Sequence, residues 1–276
     1  MAVLAILPVF AVSGHSATAS GPKPTIVLIH GAFADGSSWS RVVRILQDEG
    51  YTVYVPPNPL RGLASDSAYI ASFLATIPGP IILVGHSYGG AVITNAATGN
   101  PNVKALVYVD AFVPDQGETL GALSSAPPPT GQPASCLANA PAVFNFVPFS
   151  GGVDVYIKQS VYPSCFANTI PARQANVLAA EQRPIASSVF GEQSGVPAWK
   201  TIHSWYVVGT LDLVIPPWAQ LFMAHRASAT IVEVAGPHPS MITEPDAVAG
   251  VIEQAAGQSV QENDSRQNAM MPIGLA

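Results

Sequence analysis

Ser87 stands in the pentapeptide Gly85-His86-Ser87-Tyr88-Gly89, directly after the apolar run Pro80-Ile81-Ile82-Leu83-Val84. The helix-forming stretch Gly90 to Ala97 follows. A strand that turns sharply into a helix would lift a serine hydroxyl above the sheet edge, and small residues on both sides let the strained backbone pass. The helix would aim its first N–H groups at an oxyanion formed nearby. The chemistry such a serine could do is nucleophilic attack on a carbonyl.

A nucleophilic serine needs a base, and the base needs an orienting acid. With this type of turn the chain order is Ser, acid, His. Among His15, His30, His86, His203, His225 and His238, only His238 lies in a loop directly after a late strand, Thr230 to Val234. His238 is the expected base. The acid should end a strand upstream of it. Ser204 to Val208 reads as that strand, and Gly209-Thr210-Leu211-Asp212 follows, so Asp212 is the expected acid. Asp110, just after the strand Ala105 to Val109, is the alternative, or else a turn residue whose carboxylate bonds nearby N–H groups. The oxyanion needs two donors. One is the N–H of Tyr88, directly after the nucleophile. The other comes from the loop His30-Gly31-Ala32-Phe33 after the strand Thr25 to Ile29, with Ala32 ahead of Phe33. Phe33 is expected to touch substrate.

These residues must be positioned by strands, and candidates lie at 25–29, 51–55, 80–84, 103–109, 203–208 and 229–234. Most are continuous apolar runs, the mark of parallel strands covered on both faces. Helical stretches alternate with them, at 37–49, 66–76 (Asp66 as N-cap), 91–98, 217–226 and 245–256. The expected class is α/β, with a mostly parallel sheet and helices on both faces. An insertion runs from about 117 to 200. Its first part, Ser124 to Pro133, carries Pro127, Pro128, Pro129 and Pro133, which forbid helix and central strand there. Helices are expected at 152–161 and 172–181. Residues 258–276 lack apolar periodicity and read as a disordered tail.

The chain resembles the α/β-hydrolase superfamily, in particular the small esterases that include plant methylesterases and hydroxynitrile lyases. The resemblance is carried by IVLIHGAFADGSSW (26–39), ILVGHSYGGAV (82–92), ALVYVDAFVPDQGE (105–118), GTLDLVIPP (209–217) and the His238 segment through ITEPDAVAGVIEQA (242–255). It implies an α/β-hydrolase domain over 20–257 and a serine esterase that needs no cofactor and no metal. It also implies that the 117–200 insertion caps the serine. Phe144, Phe146, Phe149, Tyr156, Tyr162, Phe166 and Phe190 are then candidate pocket residues. Hydroxynitrile lyases of the plant type carry a lysine after the histidine, where this chain has Pro239. Dehalogenases and epoxide hydrolases of this fold use an aspartate where Ser87 stands. Perhydrolysis by the same triad, or small-molecule binding without turnover, are the remaining alternatives.

Composition bounds the partners. Charged residues make up 10% of 276, and the net charge is −6. No basic stripe suits nucleic acid; the expected partner is a small uncharged ester. Residues 1–19 read as a cleavable export leader, with an apolar core from Ala2 to Val12 and an Ala17-Thr18-Ala19 cleavage site. No Lys or Arg precedes the apolar core, which departs from the usual pattern. The leader is too short to anchor the mature chain in a bilayer. Cys136 and Cys165 are the only cysteines, and both fall in the insertion. A disulfide between them, in a secreted or periplasmic protein, is the expectation.

Overall fold

The computed structural model describes residues 23–270, with side chains described through residue 259. The expected leader, 1–19, lies outside the described residues, as do residues 271–276. The strands in chain order are β1 (Thr25–Ile29), β2 (Val53–Tyr54), β3 (Ile81–His86), β4 (Val103–Val109), β5 (Phe144–Phe149), β6 (Gly152–Ile157), β7 (Ile185–Ala186), β8 (Ser204–Gly209) and β9 (Thr230–Val234). Six of them form one sheet in the order β2-β1-β3-β4-β8-β9, and every pairing in it is parallel. The strand bearing the serine turn is therefore interior, flanked by β1 and β4.

The helices are α1 (Ser40–Asp48), α2 (Leu63–Leu74), α3 (Tyr88–Ala96), α4 (Leu120–Ser124), α5 (Ala140–Val143), α6 (Tyr162–Cys165), α7 (Ala172–Glu181), α8 (Pro217–Arg226), α9 (Ser240–Thr243) and α10 (Pro245–Met270). Strand residues alternate between two cores, because successive side chains point to opposite faces. Ile26, Leu28, Ile82, Val84 and Val107 pack with Val42 and Leu46 of α1 and Val248 and Ile252 of α10. Val27, Ile29, Leu83 and Leu106 pack with α2, α3 and α8 on the other side. Both faces are dry, which is why these strands read as unbroken apolar runs.

Three expectations need correction. Residues 152–157 are strand, not helix: β6 pairs antiparallel with β5 and β7 in a second, three-stranded sheet. Val155 and Ile157 point inward, alternating with Asp154 and Tyr156, and Gly151 supplies the positive φ of the turn. Asp66 is not an N-cap. α2 begins at Leu63 with Gly62 before it, and the buried Asp66 carboxylate accepts from the Arg61 N–H and from the Tyr88 hydroxyl at 2.8 Å. The stretch from 258 to 270, read as part of a disordered tail, continues α10. It holds no glycine or proline, and Gln, Glu, Arg and Ala sustain a helix without an apolar stripe.

Among the described residues, no helix is long and apolar enough to cross a membrane. Cys136 and Cys165 form a disulfide, with their Cα atoms 5.8 Å apart and a sequence separation of 29. The bridge ties the proline-rich start of the insertion to α6. In the chain-entropy model, closing such a loop stabilises by about 3–4 kcal/mol. Replacing both cysteines by alanine should lower the denaturant midpoint accordingly. Equal midpoints for the two proteins would show that the crosslink adds nothing.

Candidate active site

β3 ends at His86, and Ser87 takes φ 52°, ψ −123° before α3 starts at Tyr88. A non-glycine residue at positive φ is strained by roughly 1–3 kcal/mol and needs its surroundings to hold it. Here the Ser87 N–H donates to the Val109 carbonyl, and the Ser87 carbonyl accepts from Gly90 and Phe112. The flanking glycines are required by contact. A Cβ on Gly85 would lie 2.6 Å from the Gly89 carbonyl oxygen, and one on Gly89 would lie 2.5 Å from that of Ile29. Phe33 (φ 60°) and Asp110 (φ 46°) also adopt positive φ, so strain gathers just past the ends of β1, β3 and β4.

The structure brings Ser87, His238 and Asp212 together from loops after β3, β9 and β8. His238 Nε2 lies 2.9 Å from Ser87 Oγ, and Nδ1 lies 2.8 Å from Asp212 Oδ2. His238 is fully buried. Asp212 Oδ1 accepts from the N–H groups of Val214 (2.7 Å) and Ile215 (3.0 Å). Burial pushes the His238 imidazole down to about 3, so its ring favours the neutral form, while the neighbouring carboxylate favours the charged one. Burial pushes the Asp212 carboxyl up, and the Val214 and Ile215 amides oppose that rise.

Asp110, the alternative acid, sits one step behind. Its carboxylate accepts from the backbone N–H and hydroxyl of Ser240, two residues after His238. It is buried, and both burial and the nearby Asp212 charge raise its pKa. Its bonds thus anchor the loop that carries the imidazole. His86 does the same from another side, with Nε2 donating to the His238 carbonyl at 3.0 Å. Neither role has a signal in the local sequence, because the partners lie 130 and 152 residues away.

The Phe33 N–H donates to the Arg183 carbonyl at 3.0 Å and is taken up by that bond. Among the described residues, the amides of Ala32 and Tyr88 have no protein acceptor, and both residues line the cavity over Ser87. That cavity has a volume of about 480 Å³. Of the candidate cap aromatics, Phe144, Phe146, Phe166 and Phe190 line it, together with Phe33. Phe149, Tyr156 and Tyr162 are not among its lining residues. Phe149 is exposed beneath Arg61, and the buried Tyr162 donates its hydroxyl to the Phe33 carbonyl. Phe166, beside Cys165, meets the His238 ring edge-on at 4.8 Å. No lining residue is Asp, Glu, Lys or Arg. Among the described residues, no group of three His, Cys, Asp or Glu is arranged to hold a metal ion.

Known proteins share this architecture. A carbendazim hydrolyzing esterase of Nocardioides sp. is 36% identical over 110 residues, 35% of this chain and 46% of the relative. A pyrethroid hydrolase of Sphingobium wenxiniae is 35% identical over 106 residues, 34% of this chain and 38% of the relative. Each match spans less than half the relative's length. The crystal structure of polyneuridine aldehyde esterase superposes with a TM-score of 0.69 at 16% identity, covering 84% of this chain and 99% of that one. At that identity the likeness is one of fold. A model of the alpha/beta hydrolase family matches residues 26–251. A match over most of the chain, on a parallel sheet whose interior strand ends in a strained serine turn, means that this protein belongs to the alpha/beta hydrolase family.

Proposed function

We propose that the protein is a serine esterase that cleaves an uncharged, largely apolar carboxylic ester. The observation that carries this reading is the chain of contacts from Ser87 Oγ to His238 Nε2 (2.9 Å) and from Nδ1 to Asp212 (2.8 Å), opening on an apolar cavity. His238 Nε2 takes the Ser87 proton as Oγ attacks the ester carbonyl carbon. Asp212 holds the Nδ1–H tautomer and stabilises the imidazolium. The amides of Ala32 and Tyr88 bind the tetrahedral oxyanion, each contributing about 2.7–4 kcal/mol. The carbon–oxygen bond to the alcohol then breaks, and His238 returns the proton to the departing oxygen. Water, deprotonated by the same imidazole, cleaves the acyl-enzyme and restores Ser87.

The lining supports the substrate class. An ionised group buried in this cavity would find no opposite charge among the lining residues, and an unpaired buried ion costs several kcal/mol. The relatives named as an esterase and a hydrolase support ester cleavage. The disulfide supports folding in an oxidising compartment, in line with the leader read at 1–19.

Hydrolysis of p-nitrophenyl esters from acetate to palmitate tests the reaction. Ser87→Ala should lower kcat by about 10⁴-fold or more. Activity that survives the substitution would remove Ser87 from the mechanism. The pH profile tests the base. His238 must be neutral to accept the proton, and burial lowers its pKa, so protonation should abolish kcat/KM only well below the ordinary value of 6.5. An acid limb at or above 6.5 would contradict this. Export is checked by N-terminal sequencing of protein recovered outside the cytoplasm, which should begin at Ser20.

A further inference from the structure

The fourth residue of α8, Gln220, is fully buried against Asp212. Its Nε2 donates to Asp212 Oδ2 at 2.8 Å and to the Ile215 carbonyl at 2.7 Å. Oδ2 is the same oxygen that faces His238 Nδ1. The two acceptors fix the amide's orientation, since a flipped amide would press Oε1 against a carboxylate and a carbonyl. Oε1 itself is buried without a partner. A buried, unsatisfied carbonyl is destabilising, and methionine would fill the same volume without that penalty. Packing alone therefore does not account for an amide here, whereas its two donated bonds do.

We propose that Gln220 is a positioning residue that orients the Asp212 carboxylate and lowers the proton affinity of the Asp212–His238 pair. The proposal rests on the triad reading given above. The physical argument concerns the pair as a unit. If the pair's added proton sits on His238, the positive end of the Gln220 N–H dipole disfavours the nearby imidazolium. If it sits on Asp212, the strong bond from Gln220 to a carboxylate is lost. Removing the amide raises the affinity in both cases. Other titratable groups also face the pair: His86 after β3, with its ring 4.8 Å from that of His238, Asp110 after β4, and Tyr206 on β8. On α8 itself, Arg226 is paired with Glu118. None of these is altered by a change at Gln220, so a difference between wild type and variant reports the amide.

The test uses the full chain with Gln220→Met and Gln220→Glu, the second placing an acidic group beside Asp212. kcat and KM for p-nitrophenyl butyrate are measured across the acid limb, with thermal unfolding as a check on folding. The acid limb of kcat/KM should move up by about one pH unit in Gln220→Met, the size expected for one hydrogen bond to a charged group. It should move at least as far in Gln220→Glu, with KM changed less than kcat in both. An unmoved limb in a folded variant overturns the proposal, and so does failure of both variants to fold. Titration of the His238 ring by NMR in Ser87→Ala, with and without Gln220→Met, needs no turnover. A raised midpoint there supports the proposal even if no ester is hydrolysed, and an equal midpoint overturns it. Absence of hydrolysis by wild type would count against the esterase reading alone.

Discussion

An imidazole with no exposed surface, held between a hydroxyl and a carboxylate, is the constraint on which the rest of this structure depends. Polar groups withdrawn from water must find their hydrogen bonds inside the protein. Around His238 they do so in layers, with Gln220 Oε1, Asp110 Oδ1 and His86 Nδ1 left without a partner among the described residues. Val214, Ile215 and Gln220 surround the Asp212 carboxylate, His86 supports the His238 carbonyl, and Asp110 grips Ser240 in the next turn. Apart from Gln220, which lies on α8, these groups come from segments at or just past the ends of β3, β4, β8 and β9. Only a parallel sheet brings those ends to one edge, and the two dry cores on its faces keep them in register.

The cap completes the site by a different kind of interaction. Its contribution is apolar surface and shape. β5 delivers Phe144 to the cavity, where its ring stacks on Phe33 at 5.9 Å. α6 delivers Phe166, which covers His238. The Tyr162 hydroxyl ties α6 to the Phe33 carbonyl, and the disulfide ties α6 to the segment at Cys136. That segment is in turn bonded to the loop of Asp212, since the Cys136 N–H donates to the Leu213 carbonyl and the Ser135 hydroxyl to that of Val214. One wall of the cavity is thus joined covalently to the cover of His238 and by hydrogen bonds to the loop of Asp212.

The sequence misleads in three places, each for its own physical reason. The stretch 152–157 carries both a period-two pattern and the β-branched and aromatic residues of a strand, but it is only six residues long and lies in the irregular insertion, and the strands it pairs with are not among those expected from the sequence. Asp66 has the type and position of a cap, yet it is drawn inward by a hydroxyl 22 residues away. The end of α10 has no apolar stripe and reads as a tail because periodicity, the main sequence signal for a helix, is absent there.

The sequence by itself determined the parallel α/β sheet, the turn at Ser87, the loop after a late strand that carries His238, and the two loops that carry the amides of Ala32 and Tyr88. Each of these is written locally, in an apolar run followed by a turn. Tertiary structure alone decided that Asp212 and not Asp110 meets His238, that the Phe33 N–H is taken up by another carbonyl, and which cap aromatics line the cavity. It also decided which hydrogen bonds Gln220 and His86 make. These depend on partners far away in the chain, such as the Arg183 carbonyl that takes the Phe33 N–H and the Ser240 turn that takes Asp110. A hydrogen bond is a matter of a few tenths of an ångström in space, and spacing along the chain carries no record of it.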